Sequence, residues 1–107
     1  MKKTGIEIVC SNKIEKNDIE EIFFGIEEEE IPYILKFLDK DKISKELYTE
    51  GRFEIGIGID CFGEIILNQK KYSKDFILKE NIKSPKKKLR VFGQNAARIL
   101  KGLPLKK

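Results

Sequence analysis

Short runs of β-branched and aromatic residues recur along this chain, separated by polar or glycine-containing segments. Such residues pack well on a pleated, half-buried surface, so runs of this length are typical of strands. Isoleucine supplies many of them. The runs predict five strands, over residues 5–9, 31–38, 53–60, 65–67 and 76–78.

Helical spacing of apolar residues appears between the first three predicted strands. The first helix is predicted to begin at Asp18, which has Glu21 in capping-box spacing. A second helix is predicted over 41–50, where Gly51 closes it. The apolar stripe of the first helix, at i, i+3, i+4 and i+7, consists of Ile19, Ile22, Phe23 and Ile26.

A short final helix is predicted to begin at Asn95, a good N-cap residue. Gly93 can take a positive φ in the turn before it. Gly102 occupies a C′ position, and Pro104 prevents the helix from continuing. Because so short a helix is marginal alone, we expect it to dock on another element, with the two alanines after Asn95 allowing close approach.

The order β-α-β-α-β-β-β-α predicts a single α/β domain over residues 1–107. We expect a three-layer α/β/α arrangement around a mixed, mostly parallel sheet of about five strands. Two early right-handed crossovers would place the first strand centrally in that sheet.

Composition and charge limit the class of protein and the partners that it can have. The chain is 37% charged and 40% hydrophobic, which is typical of a globular domain. Its net charge of +4 is spread along the sequence and does not require a nucleic-acid partner. No membrane-spanning run is visible in the sequence. We therefore expect a cytoplasmic protein that binds neither nucleic acid nor membrane.

Histidine is missing from the sequence, which excludes an ordinary Ser-His-Asp triad and removes the commonest metal ligand. Cys10 and Cys61 lack CxxC spacing and are expected to be reduced thiols. A chain of this size seldom encloses a cleft for paired carboxylates. We predict that the chain is not an enzyme and that it carries no cofactor of its own.

Three other motifs have structural interpretations. The Gly56-Ile57-Gly58 stretch lies inside a predicted strand, whereas a dinucleotide fingerprint opens a helix. Asp60 follows that strand without a second catalytic group, so we do not interpret it as catalytic. The lysines at 86–88 are expected to lie in a solvated loop.

Four consecutive carboxylates, Glu27–Glu30, lie at the carboxyl end of the first predicted helix. The helix dipole disfavours anions there, which suggests either a function or a nearby cation. Glu28 should point away from the core, and the helix should end before Glu30. Three interpretations remain open: a solvated acidic face, a surface that meets a basic or metal-bearing partner, and a complete metal site, which is the weakest because neighbouring helical residues fan out.

Two motifs together resemble a known family. They are Gly-Ile-Glu-Glu-Glu-Glu-Ile-Pro-Tyr at 25–33 and Phe-Gly-Gln-Asn-Ala-Ala-Arg-Ile-Leu-Lys-Gly-Leu-Pro at 92–104. Gly-Ile-Gly-Ile-Asp-Cys at 56–61 lies between them. The chain resembles the small subunit of diol/glycerol dehydratase-reactivating factors, a family to which the dehydratase medium subunit is related. The resemblance covers nearly the whole chain and implies an α/β domain of the anticodon-binding type.

The resemblance also implies partners. A large ATPase subunit would pair with this chain, and the dehydratase large subunit would be a further partner of the reactivase during subunit exchange. Adenosylcobalamin would belong to the target enzyme. The family implies a cytoplasmic protein, in some cases within a bacterial microcompartment, and the isolated chain could form a homo-oligomer. Two alternatives are the dehydratase medium subunit itself and a small basic RNA-binding α/β module.

Specific residues follow from the family motif. A divalent cation, Mg²⁺ or Ca²⁺, would lie at the contact with the large subunit, held in part by Glu28 and completed by that partner. The family usually has glycine where this chain has Glu30. The predicted partner interface consists of Glu27, Glu28, Glu29, Asn95 and Arg98.

Overall fold

The computed structural model describes residues 5–38, 55–69 and 77–106. A short 3-10 helix, Lys16–Asp18, precedes the first α-helix. The helix predicted over 41–50, and with it the third layer, lies outside the described residues. The elements are β1 (Ile6–Ser11), α1 (Glu20–Glu28), β2 (Tyr33–Leu38), β3 (Ile55–Ile59), β4 (Glu64–Gln69), β5 (Leu78–Asn81) and α2 (Lys86–Lys101).

The described strands form one mixed sheet in the order β2-β1-β3-β4-β5. β1 pairs in parallel with both β2 and β3, as predicted from the early crossovers. The β3–β4 and β4–β5 pairings are antiparallel. The prediction of an α/β fold with a mixed five-stranded sheet is therefore confirmed.

Both described helices pack on the same face of the sheet. Strand register places Ile8 beside Ile57, and Ile57 beside Leu67, so one face presents a continuous apolar surface. This surface and the apolar stripe of α1 are buried together in the core. On the opposite face, Val9 and Ile66 are also buried.

The two helices approach each other most closely at two glycines. A Cβ on Gly93 would overlap the carbonyl oxygen of Ile22, and a Cβ on Gly25 would overlap that of Arg90. Each helix therefore presents a residue without a side chain to the backbone of the other. The prediction that Gly93 takes a positive φ in a turn is wrong: it lies inside α2, where helix contact requires glycine.

The final helix is longer than predicted and begins nine residues before Asn95, at Lys86. Pro85 occupies the N-cap position without a side-chain hydrogen bond. Asn95 is therefore not an N-cap, and the lysines at 86–88 form the first helical turn rather than a loop. The longer helix places a leucine and a phenylalanine, Leu89 and Phe92, in the core.

Two further boundaries differ from the predictions. No side-chain cap hydrogen bond is made at the start of α1, where Ile19 is the N-cap residue, so the capping box at Asp18 is not formed. The last strand lies over Leu78–Asn81 instead of 76–78. The C-terminal end of α2 was predicted correctly: Gly102 has a φ of 73° and closes the helix.

Candidate functional site

The acidic cluster, Glu27–Glu30, lies where α1 ends beside the carboxyl-terminal half of α2. The glycine contacts described above allow the two helices to pack closely here. α2 presents basic and amide side chains to the cluster. The positive charges near these carboxylates therefore come from the same chain, whereas the sequence suggested a partner or a metal ion as their source. As predicted, α1 ends before Glu30.

Glu29 is the most firmly bound carboxylate of the cluster. Its Oε2 accepts a hydrogen bond from Arg98 Nε at 3.1 Å, and its Oε1 contacts Lys101 Nζ at 3.0 Å. Lys101 also donates to the Glu29 backbone carbonyl at 2.9 Å. The side-chain hydrogen bond from Lys101, reinforced by Arg98, lowers the pKa of Glu29. The side chains of Arg98 and Lys101 thus join the end of α1 to the end of α2.

Glu28 lies one position earlier and points away from the core, as predicted. Its Oε1 accepts from Gln94 Nε2 at 2.8 Å and contacts Arg90 Nε at 3.2 Å. The side chain is 46% exposed. Since surface ion pairs contribute little to stability, these contacts orient Glu28 more than they stabilise the fold.

Glu27 is bound from the strand side. Tyr33 donates its hydroxyl hydrogen to Glu27 Oε2 at 2.8 Å, and its ring stacks on Phe23 with centroids 5.2 Å apart. Burial, with the hydrogen bond and charge of Glu27, raises the pKa of Tyr33 to about 12. The phenol therefore remains a hydrogen-bond donor throughout the physiological range.

Glu30 forms the turn into β2 and has a φ of 61°. It is the only described residue other than glycine with a positive φ. This conformation costs an ordinary residue about 1 kcal/mol, whereas glycine adopts it freely. The position where the resembled family usually has glycine is thus one that favours glycine physically.

Asn95 and Arg98, both predicted to contact a partner, hold the residues after α2. Asn95 is buried; its amide accepts from the Lys106 backbone N–H at 2.7 Å and donates to the Lys106 carbonyl at 3.1 Å. Arg98 donates to the Pro104 carbonyl at 3.0 Å. Their part in a partner interface stays a prediction, and Asn95 would have to release this segment to take part.

A divalent cation at Glu28 would need ligands from another chain. The described part of this chain holds no group of three or more Asp, Glu or Cys side chains suited to a metal. Glu28 can supply a carboxylate oxygen, since both of its contacts use Oε1. The adjacent Arg90 guanidinium would oppose a cation unless it turned aside.

Sequence reasoning missed four residues that bind the acidic cluster. Tyr33, Gln94 and Lys101 were included in the two motifs without a role, and Arg90 lay outside them. Arg90, Gln94 and Lys101 lie with Arg98 on one polar face of α2 at helical spacing. That periodicity is visible only when the helix is started at Lys86.

Asp60 is buried and structural. Its Oδ1 accepts backbone N–H bonds from Phe62 and Glu64, both at 3.0 Å. These bonds form the tight β3–β4 turn, and the absence of a catalytic role for Asp60 stays a prediction. Both cysteines are free: Cys10 is buried, and Cys61 is half-buried in this turn.

With this geometry established, comparison with known proteins identifies the family. The sequence profile described as the dehydratase medium subunit matches residues 3–106. The chain belongs to the dehydratase medium subunit family. A search of curated protein sequences finds no match. Within the described residues, no helix combines the length and apolar character needed to cross a membrane.

Two solved structures have a similar fold. A structure described as glycerol dehydratase reactivase superposes with a TM-score of 0.88 at 23% identity, covering 98% of each chain. A diol dehydratase-reactivating factor complexed with ADP and Mg²⁺ gives a TM-score of 0.85 at 22% identity, covering 98% of this chain and 99% of that one. At these identities the likeness establishes the fold.

Proposed function

We propose that this chain is the small, non-catalytic subunit of a reactivating factor for an adenosylcobalamin-dependent diol or glycerol dehydratase. The observation that carries the proposal is the end-to-end superposition on glycerol dehydratase reactivase, with a TM-score of 0.88 over 98% of both chains. The family match and the two sequence motifs support it further.

In this role the chain pairs with a large ATPase subunit and acts as a structural interface. During exchange, the dehydratase large subunit pairs with the reactivase, and the strained complex releases the damaged cobalamin. The factor works in the cytoplasm, or inside a bacterial microcompartment where the dehydratase resides. Such a role requires a rigid domain with an exposed surface that a partner can recognise. It does not require a catalytic nucleophile.

The acidic cluster is the proposed contact with the large subunit. Glu28 is exposed and already oriented by Gln94 and Arg90. We expect it to contribute one carboxylate oxygen to a divalent cation whose other ligands come from the large subunit. Bound cation would supply charge neutralisation between the two subunits.

Co-expression with an ATPase-like reactivase large subunit tests the proposal. We expect a stable mixed complex in light-scattering sizing, and ATP-dependent recovery of an inactivated dehydratase. A chain that joins neither the ATPase-like subunit nor a dehydratase would contradict the assignment.

Glu28→Gln tests the metal contact separately. The substitution preserves size and removes the charge, so association with the large subunit should weaken and lose its dependence on divalent cations. Glu15→Gln is the matched control, because Glu15 is exposed and lies outside the acidic cluster. Unchanged divalent-ion dependence in Glu28→Gln would show that Glu28 is not a ligand.

The dehydratase medium subunit is the second candidate, favoured by the description of the matching family. It makes a different prediction in the same experiment. A medium subunit would ignore the ATPase-like chain and form a stable complex with the dehydratase large subunit, and that complex would turn over diol substrate.

A further inference from the structure

The outer edge of β2 is apolar, and no other described strand pairs with it. Five of its six residues, in the sequence Tyr-Ile-Leu-Lys-Phe-Leu, are hydrophobic. Among the described strands β2 pairs with β1 alone, so it forms one edge of the sheet. Ile34 and Phe37 are 44% and 43% exposed, although both are large hydrophobic residues. Unpaired apolar edges of this length promote strand addition, and natural proteins normally protect them.

The usual protection, a charged side chain directed over the edge, is weakened here. Lys36 is the one charged residue of β2, and its Nζ lies 2.8 Å from Glu7 Oε2. Glu7 is a β1 residue that is 1% exposed. The lysine is therefore drawn back over the sheet and neutralised. A strand approaching the edge meets paired charges that it does not have to separate.

We infer that the β2 edge is a homodimer interface, in which β2 pairs in antiparallel register with β2 of a second copy. A two-fold axis perpendicular to the sheet keeps each residue on its own face, so residues of equal parity must oppose one another. An axis at Leu35 places Tyr33 opposite Phe37 of the second copy, and Ile34 opposite Lys36.

That register is favoured by the side chains of β2. Tyr33 and Phe37 lie on the helix-bearing face, in register with Ile6 and Cys10 of β1. Opposed aromatic residues stabilise a strand pair by about 0.2–1 kcal/mol. An axis at Lys36 would instead place two ammonium groups directly opposite one another. The strand is thus self-complementary about Leu35, which favours a second copy as the occupant over an unrelated strand.

Sedimentation of the full isolated chain tests this inference, which does not rest on the proposed function. We expect a monomer–dimer equilibrium that shifts toward dimer as the protein concentration is raised to about 1 mM. Concentrations this high are needed because a contact made by one six-residue strand from each copy is weak. Ile34→Lys adds an unpaired charge to the edge and should weaken dimerisation about tenfold or more. Leu103→Lys is the matched control, since both residues are 44% exposed.

Disulfide trapping tests the register. In a Cys61→Ser background, Leu35→Cys should cross-link to itself on oxidation, because the two copies meet at that residue. Phe37→Cys should not, since the two copies of residue 37 would lie roughly 14 Å apart along the strands. Cross-linking at residue 37 in preference to residue 35 would overturn the register.

Three other results would overturn the dimer itself. One is a monomer at every concentration, and another is a dimer that Ile34→Lys does not weaken. A third is a monomeric chain whose complex with an ATPase-like subunit is abolished by Ile34→Lys, which would assign the edge to that partner. If Ile34→Lys lost its native circular dichroism, Phe37→Lys would replace it at the other exposed position.

Discussion

Two adjacent glutamates in the acidic cluster have opposite effects on the stability of the folded state. Glu29 is held by Arg98 and Lys101 and fastens the end of α1 to α2. Glu30 adopts a left-handed conformation that its side chain disfavours. The first residue stabilises the folded state through its charge, whereas the second is tolerated in a turn that a glycine would make more easily.

Glu30→Gly should stabilise the protein by about 0.5–1 kcal/mol, because removing the left-handed strain outweighs the entropy that glycine adds to the unfolded chain. Urea denaturation measures the difference. Glu15→Gly is the matched control at a φ of −78° and should lose about 0.5–1 kcal/mol. A loss of stability in both variants would show that Glu30 is not strained.

Acid should weaken the protein partly through Glu29. The pKa of the folded state is lowered by Lys101 and Arg98, so the unfolded chain binds this proton more readily. The stabilisation is complete above the ordinary glutamate pKa of 4.5 and is lost as pH falls through the lowered pKa. In Glu29→Gln, stability should fall less steeply below pH 4.5 than in the wild type, as thermal unfolding across an acid series would measure. Equal slopes would contradict the assignment.

Residue-level reasoning from sequence located the acidic cluster, the outward direction of Glu28 and the end of α1. It did not locate the counter-charges, because these come from a helix more than sixty residues away in the chain. Pairing between distant segments depends on tertiary packing, which local periodicity does not encode.

At the scale of elements, the crossing of α1 and α2 is fixed by glycine on both sides. Gly25 and Gly93 each lie against the backbone of the opposite helix. Glycine weakens a helix interior by roughly 1 kcal/mol relative to alanine, so its presence here is explained by contact and not by propensity.

Gly93→Ala should therefore destabilise the protein by about 2–3 kcal/mol, since the new methyl group overlaps the Ile22 carbonyl and forces the helices apart. Gly102→Ala provides the contrast: no atom lies within 4 Å of the added Cβ, and only the φ of 73° is unfavourable. We expect that variant to lose about 1 kcal/mol. Chemical denaturation compares the two, and a neutral Gly93→Ala would exclude the close approach.

The start of α2 shows why one boundary was mispredicted. Three lysines in its first turn oppose the helix dipole, and no side chain caps it. These two local features therefore indicated a loop. Burial of Leu89 and Phe92 compensates for these losses, and that contribution becomes visible only when the core is assembled. Gly102 was predicted correctly because its signal is local.

At the scale of the whole molecule, the order of strands and helices was sufficient to predict the α/β class and the inner position of β1. Parallel pairing of β1 with both neighbours follows from crossovers that the sequence makes visible. The two antiparallel pairings follow from short connections after β3, of which the β3–β4 turn is formed by Asp60.

Thiol labelling provides a whole-molecule measure of stability. Cys10 is fully buried in the core, and burial raises its pKa to about 12, whereas Cys61 lies half-buried in a turn. In native buffer near neutral pH, we expect iodoacetamide to modify Cys61 first and Cys10 only through unfolding. Mass spectrometry of the two peptides, with a denatured sample as control, measures both rates. Equal rates in native buffer would show that Cys10 is exposed by local opening.

The ion pairs of Glu28 and Glu29 have a kinetic consequence. Arg90, Arg98 and Lys101 meet these two carboxylates within the same chain, so the two carboxylates contribute little long-range electric field at this end of the molecule. A protein that docks here encounters little long-range attraction to steer it. The association rate of such a protein should thus vary little with ionic strength. Selectivity between partners should then depend on the dissociation rate of the complex.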